Sequence, residues 1–449
     1  MSEAVTGTDG VTVAASPVPR DNGASHESSM EVSNELAGKG LESVRVGDLS
    51  IESYAATAGR DTVDALKALA SDLQGARVLH LNSTAYGGGV AELLRSHVPL
   101  LRSLGIDAQW KTIRGDDPFF NVTKGFHNAL QGGSYELDDA GRDAYLATNL
   151  RNSRRLDDGY DFVVVHDPQP LPIRALHGGA GARWVWRCHI DTSAPSPAVW
   201  DFLRPYTDAY DAMVFTMDEY VSPDLPREKV SLIPPAIDPL SPKNLPLSRD
   251  LCRRIVNWLG IDPDRPLVTQ VSRFDPWKDP MGVIRAYRMV REQAPGLQLA
   301  MLGHLAMDDP EGWQIYGQVV EATRGDTDIY LFTNYTAASS IEVNAFQRYS
   351  DVVVQKSIRE GFGLVVSEAL WKGSPVVAGR AGGIPLQLED GRDGYLVDSV
   401  EECAEKVLHL LQQPAKARKM GQSGHEHIRA NFLTPRLLSD EIRLLKSLS

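Results

Sequence analysis

Residues 267–293 read LVTQVSRFDPWKDPMGVIRAYRMVREQ, and this stretch carries the pattern that decides the fold class. It opens on a short, mostly apolar run from Leu267 to Val271 that lacks strict polar–apolar alternation. Strands of that kind are expected in parallel sheets covered on both faces. A loop with two cations, Arg273 and Lys278, follows, and from Pro280 to Gln293 the apolar residues return at helical spacing. Strand, loop and helix in that order make one unit of an α/β protein.

The same unit recurs on both sides. Toward the N-terminus, strands are expected at 77–81, 162–165, 184–186 and 213–215, with helices at 90–104 and 138–156. Toward the C-terminus, strands are expected at 297–302, 329–332, 352–354 and 376–377, with helices at 341–349 and 364–372. The two series are separated by 233–247 (IPPAIDPLSPKNLPL), whose five prolines and weak periodicity mark a linker. The expected architecture is therefore two doubly wound parallel-sheet (Rossmann-like) domains, at 43–245 and 246–430. Residues 1–42, poor in large apolar side chains, cannot bury enough surface to offset their ordering entropy and read as a disordered tail. After Pro414 the chain reads as helical, and 431–449 is expected to form a last helix able to pack back on the N-terminal domain. Two such domains on one linker leave a deep cleft, with ligands at the carboxyl ends of the strands.

The chain has 449 residues, 42% of them hydrophobic and 23% charged, which is ordinary globular composition. Its net charge of −13 argues against nucleic acid or an anionic membrane as partner, since both demand a positive field. A small phosphorylated ligand needs only a few local cations. Three separated cysteines give neither a disulfide framework nor zinc-site spacing and fit a reducing compartment. With no secretory signal and no apolar run near the ~18 residues of a membrane span, a cytoplasmic protein is expected.

Four segments carry the candidate chemistry. NSTAYGGGV (82–90) follows a strand and opens a helix, so its three successive glycines let the backbone approach a ligand closely and the helix N-terminus offers unpaired N–H groups to an anion. It is not the dinucleotide GxGxxG fingerprint. Arg273 and Lys278 put a planar fork and a point charge on one loop, a pairing suited to phosphate oxygens. In REGFGLVVSE (359–368), Glu360 and Glu368 are eight residues apart, a rotation of ~80° on a continuous helix. They would not share a face. Gly361 and Gly363 instead suggest a loop that becomes a helix near Leu364, with Glu360 in the loop and Glu368 on the second turn. AGGIP (381–385) follows the next strand and can line the same cleft. In the N-terminal half, His189 with Asp191, and HDPQ (166–169) with Asp167 and Gln169, sit at strand ends. Asn121 to Asn128 reads as a helix start that could cap the cleft. No nucleophilic triad, HExxH or other metal-ligand spacing appears.

These segments together resemble the retaining glycosyltransferases of family 4, which have the GT-B fold, and more narrowly the trehalose glycosyltransferring synthases. The matching strings are VLHLNSTAYGGGVAELL (78–94), FFNVTKGFHNALQG (119–132), HDPQP (166–170), RCHIDTS (187–193), QVSRFDPWK (270–278), DDPEGW (308–313), NAFQRYSDVVVQKSIREGFGL (344–364) and EALWKG (368–373). The resemblance runs from about Val44 to the C-terminus. Retaining trehalose phosphorylases of fungi are near relatives, which leaves the reaction type within the group less fixed than the fold.

The resemblance implies a role for each residue. Gly88 and Gly89 would approach a donor diphosphate, and Arg273 and Lys278 would neutralise it. Glu360 would bind hydroxyls of the transferred glucose with the backbone around Phe362, Gly363 and Leu364, and Glu368 would hold the ribose. His189 would lie near the transferred sugar, with Asn121, Asp167, Gln169 and Asp191 on the acceptor side. The implied reaction is reversible and retaining, NDP-glucose plus glucose giving α,α-trehalose plus NDP, with uridine, adenosine or guanosine as the nucleoside. A phosphorylase, a transferase for another acceptor, and a silent nucleotide-sugar-binding protein are the alternatives. No tightly bound cofactor is implied, and there is room for a divalent cation such as Mg and for a homodimer.

Overall fold

The computed structural model describes residues 41–86, 88–179, 181–305, 310–336 and 338–449. Most of the expected tail, Gly87 of the glycine loop, and Asp308 and Asp309 of DDPEGW lie outside the described residues. The described chain reaches back to Leu41, two residues inside the stretch read as tail.

Among the described residues the N-terminal half builds a seven-stranded sheet in the order β1-β3-β2-β4-β5-β6-β7. Its strands are β1 (Glu42–Ser43), β2 (Arg77–Asn82), β3 (Asp107–Thr112), β4 (Phe162–His166), β5 (Arg183–Arg187), β6 (Ala212–Phe215) and β7 (Val230–Leu232). All neighbours are parallel except β1, which lies antiparallel on β3. Its main helices are α1 (Arg60–Ala70), α2 (Gly88–Ser103), α3 (Asp117–Leu130), α4 (Asp139–Ser153) and α5 (Pro197–Thr207). Among its described residues the C-terminal half builds a six-stranded, all-parallel sheet in the order β10-β9-β8-β11-β12-β13. Its strands are β8 (Leu267–Val271), β9 (Gln298–Gly303), β10 (Ile329–Thr333), β11 (Val352–Gln355), β12 (Val376–Gly379) and β13 (Tyr395–Val397). Its helices are α6 (Arg249–Trp258), α7 (Pro280–Gln293), α8 (Pro310–Thr323), α9 (Ser340–Tyr349), α10 (Leu364–Trp371), α11 (Val400–Gln412) and α12 (Pro414–Asn431).

Burial on both faces explains the missing alternation. Leu79 and Leu81 of β2 with Val163 and Val165 of β4 enter one core, while Val78, Phe162 and Val164 enter another on the opposite face. The second sheet repeats this, with Val352 and Val354 on one side and Val353 on the other. Four strands escape a reading based on apolar runs. β3 is the instructive one: its apolar Ala108 and Trp110 are interrupted by Asp107, Gln109 and Lys111. It is held by its place beside β2 and by Trp110, whose indole N–H donates to Asn82 Oδ1 at 2.7 Å.

The proline-rich stretch runs between the halves without regular structure and is met by the end of the chain. Ile237 N donates to Phe432 O (2.9 Å) and Thr434 N donates to Ile237 O (3.0 Å). From there α13 (Thr434–Leu448) buries Leu437, Leu438, Ile442 and Leu445 among Val63, Leu66, Val98 and Leu101 of α1 and α2. One expectation needs correction. Asn121 to Asn128 is not a helix start: α3 begins at Asp117, where Asp116 Oδ1 accepts from Phe119 N (3.1 Å) and Pro118 fits the first turn. An Asp–Asp–Pro sequence caps the helix one turn earlier than Asn121.

Candidate active site

In a doubly wound sheet the strand order reverses at one point, and the loops leaving the two strands there diverge to opposite faces and open a crevice. In the C-terminal sheet that point lies between β8 and β11. The loops that leave them are 272–279 and 356–363, the two segments that the sequence singles out. Asp275 Oδ1 accepts from Trp277 N (2.8 Å), which winds residues 276–278 into a short turn and lifts Lys278 toward β11. Lys278 Nζ donates to Glu360 Oε1 at 2.7 Å, and Ser357 Oγ donates to Glu360 Oε2 at 3.1 Å. With side chains only 15% and 10% exposed, this ion pair is largely withdrawn from water, unlike an ordinary surface pair. Arg273 is mostly exposed and donates to Asp275 Oδ2 at 3.1 Å. Arg359 lies over the Trp277 ring, 5.2 Å from its centroid.

Gly363 turns the loop into α10 in the left-handed region (φ 82°), and a Cβ there would sit 3.1 Å from both Glu360 Cγ and Ile384 Cγ1. Among the described residues, the backbone N–H groups of Phe362, Gly363 and Leu364 have no acceptor. Unpaired N–H groups at a helix start, with the positive end of the helix behind them, make an anion site. Phe362 is itself buried against Phe432, and its carbonyl accepts from Gln387 Nε2. Glu368, on the second turn of α10, is 2% exposed. Lys243 of the linker stands 3.5 Å from its Oε1 and 2.9 Å from Glu92 Oε2 of α2, so one ammonium bridges the halves. Burial opposes the Lys243 charge, but the two carboxylates outweigh it and push its pKa up. Among the described residues, Glu368 Oε2 is buried with no hydrogen-bond partner, an arrangement that a ligand hydroxyl would complete. Beneath it Lys372 is driven down to about 7 by burial.

The N-terminal sheet supplies the facing wall. Gly88 starts α2 at φ 77° with nothing within 4 Å of where a Cβ would stand, and a Cβ on Gly89 would touch Leu364 Cδ1 at 3.5 Å. The glycine loop and the start of α10 therefore oppose each other directly. At the ends of β4 and β5 sit Asp167 and His189. Asp167 is in the left-handed region (φ 62°), and its Oδ1 accepts from His189 N at 2.8 Å. Burial pushes its carboxyl up to about 7, although the His189 N–H and the Arg187 charge pull the other way. The His189 carbonyl oxygen is 3.7 Å from where a Gly361 Cβ would lie. Tyr220 ties the walls together, its hydroxyl donating to Gly361 O (2.5 Å) and Glu360 O (3.0 Å). Gly382 of AGGIP allows this, since a Cβ would fall 2.4 Å from that hydroxyl and 1.9 Å from Glu360 O. His127 of α3 is exposed at the rim, where crowding by the surrounding chain and the Arg273 charge lower its pKa.

The structure thus gathers Gly88, Gly89, Lys278, Glu360, Phe362, Gly363, Leu364 and His189 around one cleft, with Arg273 and Glu368 at its margins. Asp167 abuts His189. Asp191 turns inward on its own loop, accepting from Ser193 N at 2.9 Å. Gln169 is anchored through its carbonyl by Asn149 Nδ2 (3.1 Å). Asn121 is exposed on α3 and, among the described residues, bonds to none of the others. Sequence reading missed Ser357, Tyr220, Lys243 and His127. Ser357 and His127 lie inside quoted strings and could have been weighed; Tyr220 and Lys243 reach the site only through tertiary contacts.

Comparison with known proteins converges on this geometry. Residues 80–222 match the family described as "Trehalose synthase, N-terminal domain", and residues 253–427 match "Glycosyl transferases group 1". A trehalose synthase of Rubrobacter xylanophilus is 53% identical over 91% of this chain and 99% of its own length. The chain belongs to the trehalose synthase family. A second member, from Pyrococcus horikoshii, is 46% identical over 90% of this chain and 97% of its own. A trehalose phosphorylase of Pleurotus pulmonarius is 30% identical over 84% of this chain, which spans 58% of the phosphorylase. The solved trehalose-6-phosphate synthase OtsA superposes with a TM-score of 0.66 at 17% identity, covering 83% of this chain and 100% of that one. The fold is GT-B, and the family makes the chain a trehalose-forming glycosyltransferase. No described helix of this family member is long and apolar enough to cross a membrane.

Proposed function

We propose that this trehalose synthase transfers glucose from a nucleoside-diphosphate glucose to glucose, with retention, giving α,α-trehalose and the nucleoside diphosphate. One observation carries the reading: the Lys278–Glu360 pair and three N–H groups that are unpartnered among the described residues share the C-terminal switch point, which meets the glycine loop at Gly89. A cation beside free N–H groups suits a diphosphate, and a carboxylate held next to them suits sugar hydroxyls. The buried Glu368 Oε2 is the acceptor for a ribose hydroxyl. Further support comes from a structural neighbour, HepE of Anabaena, which was solved in complex with UDP and glucose.

In this mechanism the bond from the anomeric carbon to the diphosphate oxygen breaks first, through an oxocarbenium-like state. The acceptor hydroxyl attacks from the same face, and the departing diphosphate oxygen takes its proton. Lys278, Arg273 and the start of α10 stabilise the charge that builds on the leaving group, the electrostatic contribution that usually dominates such steps. Glu360, committed to Lys278 and Ser357, orients hydroxyls rather than acting as a nucleophile. His189 and Asp167 border the sugar from the other wall, and closure of the cleft keeps water from the donor.

Incubating the protein with trehalose and UDP, ADP or GDP, and separately with phosphate, tests the reading. NDP-glucose is expected with at least one nucleotide. Glucose 1-phosphate from the phosphate arm, without any nucleotide sugar, would overturn it in favour of a phosphorylase. Nucleotide binding with neither product would leave a silent binder.

A further inference from the structure

Beneath the cleft floor, His80 of β2, His166 of β4 and His97 of α2, with His189 just past β5, form a line that ends on a carboxylate of the last helix. His189 Nε2 is 3.1 Å from His166 Nδ1, and His166 Nε2 is 3.1 Å from His80 Nδ1. The His166 and His189 planes differ by 10° with centroids 5.4 Å apart, so the rings meet edge to edge as a hydrogen bond requires. His80 Nε2 in turn faces Glu441 Oε1 of α13 at 3.4 Å. The same Oε1 accepts from His97 Nε2 (2.8 Å), and Oε2 accepts from Arg187 Nη1 (3.1 Å). His80, His97, His166, Arg187 and Glu441 are all buried; His189 alone is partly accessible.

We infer that Glu441, through His80 and His166, fixes His189 in one tautomer, with the proton on Nε2 and a lone pair on Nδ1 for a substrate hydroxyl. The assignment follows from one end. An ionised carboxylate only accepts, so a lone pair on His80 Nε2 facing it at 3.4 Å would be repelled, and that nitrogen carries the proton. In a neutral His80, Nδ1 is then an acceptor and takes its hydrogen bond from His166 Nε2–H, whereas an imidazolium there would reverse the chain. His166 Nδ1 is an acceptor in its turn and takes one from His189 Nε2–H. The last ring is left with a bare Nδ1, which among the described residues has no partner and is not sealed from water. Which imidazole nitrogen holds the proton is set by the bond that the other one makes.

The surroundings favour this state. Burial opposes the charge of Glu441, but the Arg187 guanidinium on Oε2 and the His97 ring on Oε1 supply the partners that an ionised carboxylate needs. Burial, with the Arg187 charge adding to it, holds His166 and His189 well below 6.5, so both stay neutral. The relay also gives α13 a task beyond packing, since it delivers the anion that orders a residue in the cleft. His80, His97 and Glu441 are close enough to ligate a metal ion. A metal on His80 Nε2 would force the proton to Nδ1 and reverse every tautomer along the chain, which makes the two arrangements distinguishable.

The relay bears on catalysis only through the His189 role proposed above, but its test needs no activity. Long-range proton–nitrogen NMR of the full chain labelled with 15N-histidine, without substrate at neutral pH, reads each tautomer. His189 as the Nε2–H form is expected; the Nδ1–H form, or a stoichiometric bound metal, overturns the relay. In Glu441→Gln the Arg187 guanidinium, which can only donate, keeps the amide oxygen and turns the NH2 group toward His80, so His189 is expected to switch to Nδ1–H. An unchanged His189 in a folded variant also overturns it, and should that variant not fold, the wild-type spectrum alone decides. With a donor where an acceptor belongs, kcat for trehalose formation is expected to fall about 10-fold while the Kd for free nucleotide stays unchanged. A chain that makes no trehalose yet shows the Nε2–H form keeps the relay and loses the proposed reaction.

Discussion

The two switch points of this molecule are built alike and furnished in opposite ways. Between β8 and β11 the crevice holds ionised groups and bare N–H donors: Lys278, Glu360, Arg273 and the start of α10. Between β2 and β4 the matching crevice has a floor of wholly or partly buried imidazoles and one carboxyl: His80 within β2, His166 at the end of β4, Asp167 after it and His189 just past β5. One fold thus has a wall of ionised groups and N–H donors at one switch point and a wall of hydrogen-bonded imidazoles at the other. That division suits the proposed nucleotide sugar, whose diphosphate needs counter-charge and whose hexose needs directed hydrogen bonds.

The sharpest way to break the comparison is to remove charge from the charged wall. Lys278→Ala or Arg273→Ala is expected to lower kcat for trehalose formation by ~100-fold or more, as loss of charge stabilisation often does. Wild-type turnover in either variant would show that the cations are surface charges and that the contrast between walls is incidental.

The imidazole wall is tested by pH. Burial raises the Asp167 carboxyl from 3.8 to about 7, so the folded state binds a proton that the unfolded chain gives up. Such a group destabilises the fold increasingly as pH rises from near 4 to near 7, and fully above that. A shift of this size corresponds to up to ~4 kcal/mol, and to about half of that for a carboxyl that water partly reaches. Asp167→Asn keeps an acceptor for His189 N and tolerates the left-handed backbone. Its thermal midpoint is expected to match wild type at pH 4 and to exceed it at pH 8; a constant difference across that range would mean that Asp167 ionises freely.

The contact between the walls gives the smallest effect. Tyr220→Phe deletes the hydroxyl that donates to Glu360 O and Gly361 O, and should cost about 1 kcal/mol of stability. It should raise the KM for the donor more than it lowers kcat. Equal melting curves and kinetics would mean that the 360–363 loop is held by the C-terminal half alone.

The sequence by itself determined the fold class, the linker and the charged wall. Apolar runs followed by helical periods are local signals, and SRFDPWK and REGFGL each hold their chemistry within a few residues. The boundaries moved by only a residue or two at most elements, as helix ends usually do. Where local signal was mixed, as in β3 with its Asp107 and Lys111, or displaced, as in the Asp116 cap ahead of Asn121, the reading went astray. What only the tertiary structure decided are the pairings across long stretches of chain. Lys243 joins Glu92 to Glu368, Tyr220 holds the loop at Gly361, and Glu441 of the last helix closes a line of histidines that begins at His189. The physical reason is common to all three. Burial makes an unpaired polar group costly, and the partner that relieves it is chosen by packing, which brings together residues whose separation in sequence carries no local trace.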